Sequence, residues 1–94
     1  MSETLSKESS ARSGRIRIDD RPKHLATRLE RGEIAVINVA DLDRESAAAL
    51  VTAGPVAVLN AQPSLTGRVA ALGPRLILEA GIVLVDDLGQ DIMS

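Results

Sequence analysis

The chain has no cysteine, no phenylalanine, tyrosine or tryptophan, and a single histidine. Each absence removes a class of chemistry. Without cysteine there is no disulfide, no thiolate metal site and no sulfur nucleophile. Without aromatics the core must be built from Leu, Val, Ile and Ala, which forgoes the large area that each ring would bury, so marginal stability is expected. The same gap leaves nothing to stack on nucleic-acid bases. The lone histidine, His24, stands beside Lys23 in the first turn of an expected helix. A metal site or a Ser-His-Asp relay needs partners that the sequence does not place near it, so His24 reads as a surface residue. No apolar run approaches the ~18 residues of a spanning helix. The opening MSETLSKESSARSG lacks the apolar centre of a signal peptide, which fits a cytoplasmic protein without membrane contact of its own. Neither GxxxxGK[ST] nor GxGxxG occurs, so nucleotide binding has no motif behind it.

What is present is unevenly charged. Residues 1–32 carry eight Lys/Arg against five Asp/Glu, whereas residues 33–94 carry three against eight. Asp19, Asp20 and Glu30 interrupt the basic half, so a nucleic-acid partner is not expected. Residues 1–13 are polar and Ser-rich and cannot offset their own ordering entropy; they read as a disordered tail. Residues 14–94 then form one small α/β domain.

Apolar spacing gives the order of elements. Arg15-Ile16-Arg17-Ile18 alternates with period two, as in a half-exposed strand. Asp20 and Pro22 signal a helix start, Leu25 and Leu29 share one face, and Gly32 is the expected C-cap. Ile34–Ile37 is a compact apolar run suited to a strand buried on both faces. A helix over Arg44–Thr52, capped by Asp41 or Asp43 and ended by Gly54, leads to a returning strand Val56–Leu59. This βαβ unit predicts parallel pairing. Pro74–Ala80, with Gly81 after it, is a further helix, and Ile82–Val85 a further strand. The expected architecture is a small three-layer or swivelling-type domain with a mainly parallel sheet of three to four short strands. An exposed sheet edge leaves homo-oligomerisation open, and residues 88–94 look like the start of another element, so the chain reads as the front part of a longer architecture.

Candidate site residues gather at the carboxyl ends of these strands, where open α/β sheets build their sites. The loop Asn60–Arg68 offers two amides, two hydroxyls and one guanidinium; Arg68 can fork onto phosphate or carboxylate. Asn60, Ser64, Thr66, Gly67 and Arg68 are the expected ligand or partner surface, with Asp41 and Asp43 on the neighbouring rim. A catalytic residue is not assigned. Asp86 and Asp87 are the weak candidates for Mg²⁺, which takes oxygen ligands; a solvated strand end explains them as well.

Three stretches, GEIAVINVADLDRESAAALVTAG, PVAVLNAQPSLTGR and LGPRLILEAGIVLVDDLG, together with the upstream GRIRIDDRPKHLATRLERGE, resemble the amino-terminal region of the SteA-like family of actinobacterial cytokinetic ring proteins. The resemblance covers nearly all of the chain from Gly14. It implies longer relatives that continue into a domain similar to thiamine pyrophosphokinase and then a membrane-associated part. It also implies a role in cell division and cell separation with a protein partner at the septum, on the inner face of the membrane. The amino-terminal part would be a swivelling α/β domain akin to the mobile domains of phosphotransfer enzymes. Those carry a phosphorylatable histidine in the loop that here reads QPSLTGR and has none, so phosphohistidine transfer is not expected. Asn60, Ser64, Gly67 and Arg68 match the family loop. Val69-Ala70-Ala71-Leu72 replace its Tyr-Pro-Asn segment, so binding that rests on those residues is not carried over. The implied function is a non-catalytic interaction domain needing no cofactor. The alternative is an accessory part of a thiamine pyrophosphokinase-like enzyme, whose ATP and Mg²⁺ would sit in the domain absent from these residues.

Overall fold

The structure, a computed structural model, describes residues 15–67 and 71–93. The expected tail over residues 1–13 and the loop residue Arg68 lie outside the described residues. Four strands and three helices alternate: β1 (Ile16–Ile18), α1 (Pro22–Ala26), β2 (Ile34–Ile37), α2 (Arg44–Ala53), β3 (Ala57–Asn60), α3 (Gly73–Glu79) and β4 (Val83–Val85), followed by a 3₁₀ turn at Gln90–Met93. Every pairing is parallel and the strand order is β1-β2-β3-β4. The α/β class and the small parallel sheet are those the spacing predicts.

The order of strands decides how the layers stack. Each parallel connection runs to the next strand in the same direction across the sheet. The right-handed crossover rule therefore places all three helices on one face. The packing agrees, with α1 against α2 and α2 against α3. The result is two layers, not three. Arg17, Ala35, Val58 and Leu84 form the register row that faces the helices. Ala35 and Val58, joined by Ile37, meet Leu25, Leu29, Ala47, Leu50 and Ile77 in the core. The alternate rows, Ile16-Ile34-Ala57-Val83 and Ile18-Val36-Leu59-Val85, point to the other side. None of those eight side chains belongs to the core cluster.

Several local expectations are corrected. β2 is buried on both faces over Ala35, Val36 and Ile37, as expected, but helices cover only one of those faces and Ile34 is half-buried. Helix α1 ends at Ala26, with Thr27 at its C-cap, so Leu29 and Gly32 lie beyond it. Gly32 instead takes φ +89 in the turn before β2. The N-cap of α1 is Arg21 rather than Asp20, and its amide donates to Asp19 Oδ1 at 3.0 Å. β3 begins one residue later than expected and takes in Asn60, leaving Val56 exposed. The returning unit behaves as the sequence predicts. Asp43 caps α2 by accepting from the Ser46 amide at 2.9 Å, and Gly54 ends it in the left-handed region at φ +80.

One glycine is required by a close approach. The amide of Gly73 donates to the Leu42 carbonyl at 3.1 Å, which draws the start of α3 onto the β2–α2 loop. A Cβ at this position would stand 2.4 Å from that carbonyl oxygen.

Candidate functional site

The carboxyl ends of β2, β3 and β4 bring most of the expected residues to one rim. Asn60, the last residue of β3, is fully buried with its side chain turned toward the helix layer. Its Oδ1 accepts from the amides of Val39 and Gln62, each at 3.1 Å. Its Nδ2 donates to the Val39 carbonyl at 2.8 Å and to Ser64 Oγ at 2.9 Å. Two donors and two acceptor positions are thereby all used. The amide holds the β2–α2 loop to the β3–α3 loop.

Ser64 is the second buried member. Its amide donates to Asp86 Oδ2 at 2.9 Å, and its carbonyl accepts from Leu42 at 3.0 Å. Asp86 therefore ties the end of β4 to this loop. Asp87 sits at φ +57 with its amide on the Gln62 carbonyl at 3.1 Å, which gives the two neighbouring aspartates different surroundings. Among the described residues no group of three or more His, Asp or Glu is placed to hold a metal ion. Farther out, Asp41 takes φ +55 and accepts from the Thr66 amide at 2.8 Å, with Thr66 Oγ1 at 2.7 Å from its Oδ2. Leu65, Thr66 and Gly67 are exposed at the loop tip. Asp43 stays at the helix start, where bonds from the Ser46 side chain and amide lower its pKa.

The structure thus brings Asn60, Ser64, Thr66, Asp41 and Asp86 into one hydrogen-bonded lattice and sets Asp43 apart as a cap. A second lattice lies on the opposite face of the sheet. Asn38 Oδ1 accepts from Gln62 Nε2 at 2.7 Å and from Gln90 Nε2 at 3.0 Å. This fastens the 3₁₀ turn over the end of β2, where Val36 is buried.

Sequence reasoning missed a partner for His24. Its Nδ1 lies against Asp19 Oδ2, and Arg28 Nη2 approaches the same oxygen at 3.6 Å. The Arg21 amide, followed by His24, holds the Asp19 carboxyl far below the usual carboxylate range. The available signal was spacing: a strand ending just before Asp19 and a helix opening at Pro22 place residues 19 and 24 around one tight corner. His24 borders a hollow of about 430 Å³ between α1 and the start of α2, together with Arg21, Lys23, Val39 and Ser46. Lys23 there pairs with Glu45 at 2.9 Å.

The topology limits what this rim can do. Ligand crevices of open α/β sheets form where the strand order reverses, so that neighbouring loops diverge to opposite faces. The order β1-β2-β3-β4 contains no reversal. The loops fold onto one another, and the polar groups at their base are spent on each other. The rim is suited to presenting a fixed surface rather than enclosing a small molecule. The chain matches no known protein family, no curated protein and no solved structure.

Proposed function

We propose that this chain is a non-catalytic α/β interaction domain. The observation that carries this reading is the outer face of the sheet. All-parallel sheets are found almost only with both faces covered. Here one face packs on three helices; on the other Ile16, Ile18, Val83 and Val85 are exposed, Ile34, Ala57 and Leu59 half-buried and Val36 buried, with no polar side chain in either row. Ile16 and Val83 are each 57 % exposed. A face of that composition is stable in water only in part, and contact with another macromolecule completes it.

The resemblance to cytokinetic ring proteins supplies the setting: a component at the division septum, on the cytoplasmic side, engaging a protein partner. Among the described residues no helix is long and apolar enough to cross a membrane. The reading is tested by adding ATP with Mg²⁺, or thiamine, to the purified chain and following its thermal midpoint. No shift is expected. A ligand that binds only the folded chain would add about 2.7 kcal/mol at one hundred times its Kd, and that result would overturn the non-catalytic reading in favour of an enzyme accessory. The setting is tested separately with a fluorescent fusion in dividing cells, expected at the septum; a diffuse signal throughout the cycle would remove it.

A further inference from the structure

We infer that the 3₁₀ turn Gln90–Met93 is a hinged cover over the outer face of the sheet, and that its opening bares Val36 and makes one apolar row continuous from β1 to β4. The inference rests on the interaction-domain reading and adds a control on the surface that reading uses.

Two residues of one strand show what the turn does. Ile34 and Val36 both lie on β2, point to the outer face and stand between the same neighbouring strands. Ile34 is half-buried, whereas Val36 is 3 % exposed. Strand neighbours do not separate the two, but the turn does. It packs on β2 and is tied to Asn38, just past the carboxyl end of that strand. Ile92 and Met93 are half-buried in it. In the row Ile18-Val36-Leu59-Val85 the flanks are open, at 37 % and 40 %, while Val36 between them is closed.

The turn is attached as a cover is attached. The segment before it is bound along the end of β3, where the amides of Leu88 and Gly89 donate to the carbonyls of Asn60 and Ala61 at 3.1 and 2.9 Å. Past Gly89 the turn is latched by an amide pair. Gln90 Nε2 donates to Asn38 Oδ1 at 3.0 Å, and Asn38 Nδ2 donates to Gln90 Oε1 at 2.9 Å. Gln90 is exposed, so water competes for this latch, and segments held by solvent-exposed hydrogen bonds open at low cost. Gln62 Nε2, at 2.7 Å from the same Asn38 oxygen, keeps that side chain in place when the latch opens. Gly89 is the pivot. It takes φ +92, and a Cβ built on it would meet nothing within 4 Å, so the backbone there has room to turn.

Closed, the turn hides one valine. Open, it leaves four aliphatic side chains in a line across the sheet. A partner that takes the whole row must displace the turn, so its apparent affinity is the intrinsic one multiplied by the open fraction.

The test follows methyl groups of the full chain by nuclear magnetic resonance with a soluble gadolinium chelate, which speeds relaxation of whatever solvent reaches. In the parent, Val36 should be shielded relative to Ile18 and Val85. The variant Gln90→Ala/Ile92→Ser removes the latch and one apolar hold. Its Val36 methyls should relax at least about threefold faster, with the core methyls of Ile37 and Val58 unchanged. An unchanged Val36, or core methyls that rise with it, overturns the cover. Binding of anilinonaphthalene sulfonate gives the second arm. The parent should bind the dye through its open flanks, and the variant at least about threefold more. Dye binding that does not rise when Val36 is bared overturns the cover alone, because the parent's own binding keeps the interaction reading standing. No dye binding by either chain overturns both.

Discussion

At the scale of single residues the rim is held by one amide. Asn60 was readable from the sequence as a polar residue at a strand's carboxyl end, and it is there. Its composition could not reveal whether the amide faces a ligand or its own chain, because both tasks use the same two donors and two acceptors. The four hydrogen bonds decide it. Asn60→Ala would leave the half-buried Val39 amide and carbonyl and the buried Ser64 hydroxyl without this partner, so a loss of about 1–3 kcal/mol in urea unfolding is expected. Asn60→Asp should lose as much at neutral pH, since a carboxylate cannot donate to the Val39 carbonyl or Ser64 Oγ. Were either variant as stable as the parent, the amide would not be the staple. Gly73 makes the companion case. A Cβ 2.4 Å from the Leu42 carbonyl oxygen forces backbone apart, so Gly73→Ala should destabilise by ~1–3 kcal/mol. Gly32, at positive φ with open space around it, should lose ~1–2 kcal/mol on the same change through conformation alone. The sequence announced Gly73 only as a residue before Pro74; the approach of a distant loop leaves no local mark.

At the scale of elements the sequence and structure agree where a unit closes on itself. The βαβ stretch from Ile34 to Asn60 carries its own cap, its own terminator and two apolar runs, and its elements fall within a residue or two of the spacing. Helix α1 differs because its end is set from outside. Leu29 and Thr27 could continue a helix, but Leu29 is drawn into the core as a turn residue and Gly32 is bonded through its amide to the Gly54 carbonyl at 2.9 Å. The corner before α1 has an electrostatic consequence. Asp19, Glu33 and Asp43 all have lowered pKa values: Asp19 through the Arg21 amide and His24, Glu33 through the Glu30 amide and Arg17, Asp43 through Ser46. A carboxylate with a lowered folded pKa stabilises fully above its unfolded value and loses that contribution as pH falls toward the folded one. Stability should therefore fall as pH drops below about 4, with little carboxylate contribution to any change between about 5 and 7. Urea midpoints measured across that range check the sign. Asp19→Asn should flatten part of the acid limb; an unchanged limb would mean that the strand–helix corner does not contribute.

At the scale of the whole molecule, lack of aromatics and lack of a second helix layer act in the same direction. Both reduce the apolar area that one copy can bury, leaving Leu, Ile, Val and Ala on a single face to oppose the ordering entropy of the chain. The class and the parallel pairing were legible because alternating apolar runs and short connections permit few arrangements. The open face was not. A run such as Ile82–Val85 reads as a strand whether or not its outer side chains are covered, and the sequence does not record that Val83 and Val85 stand exposed.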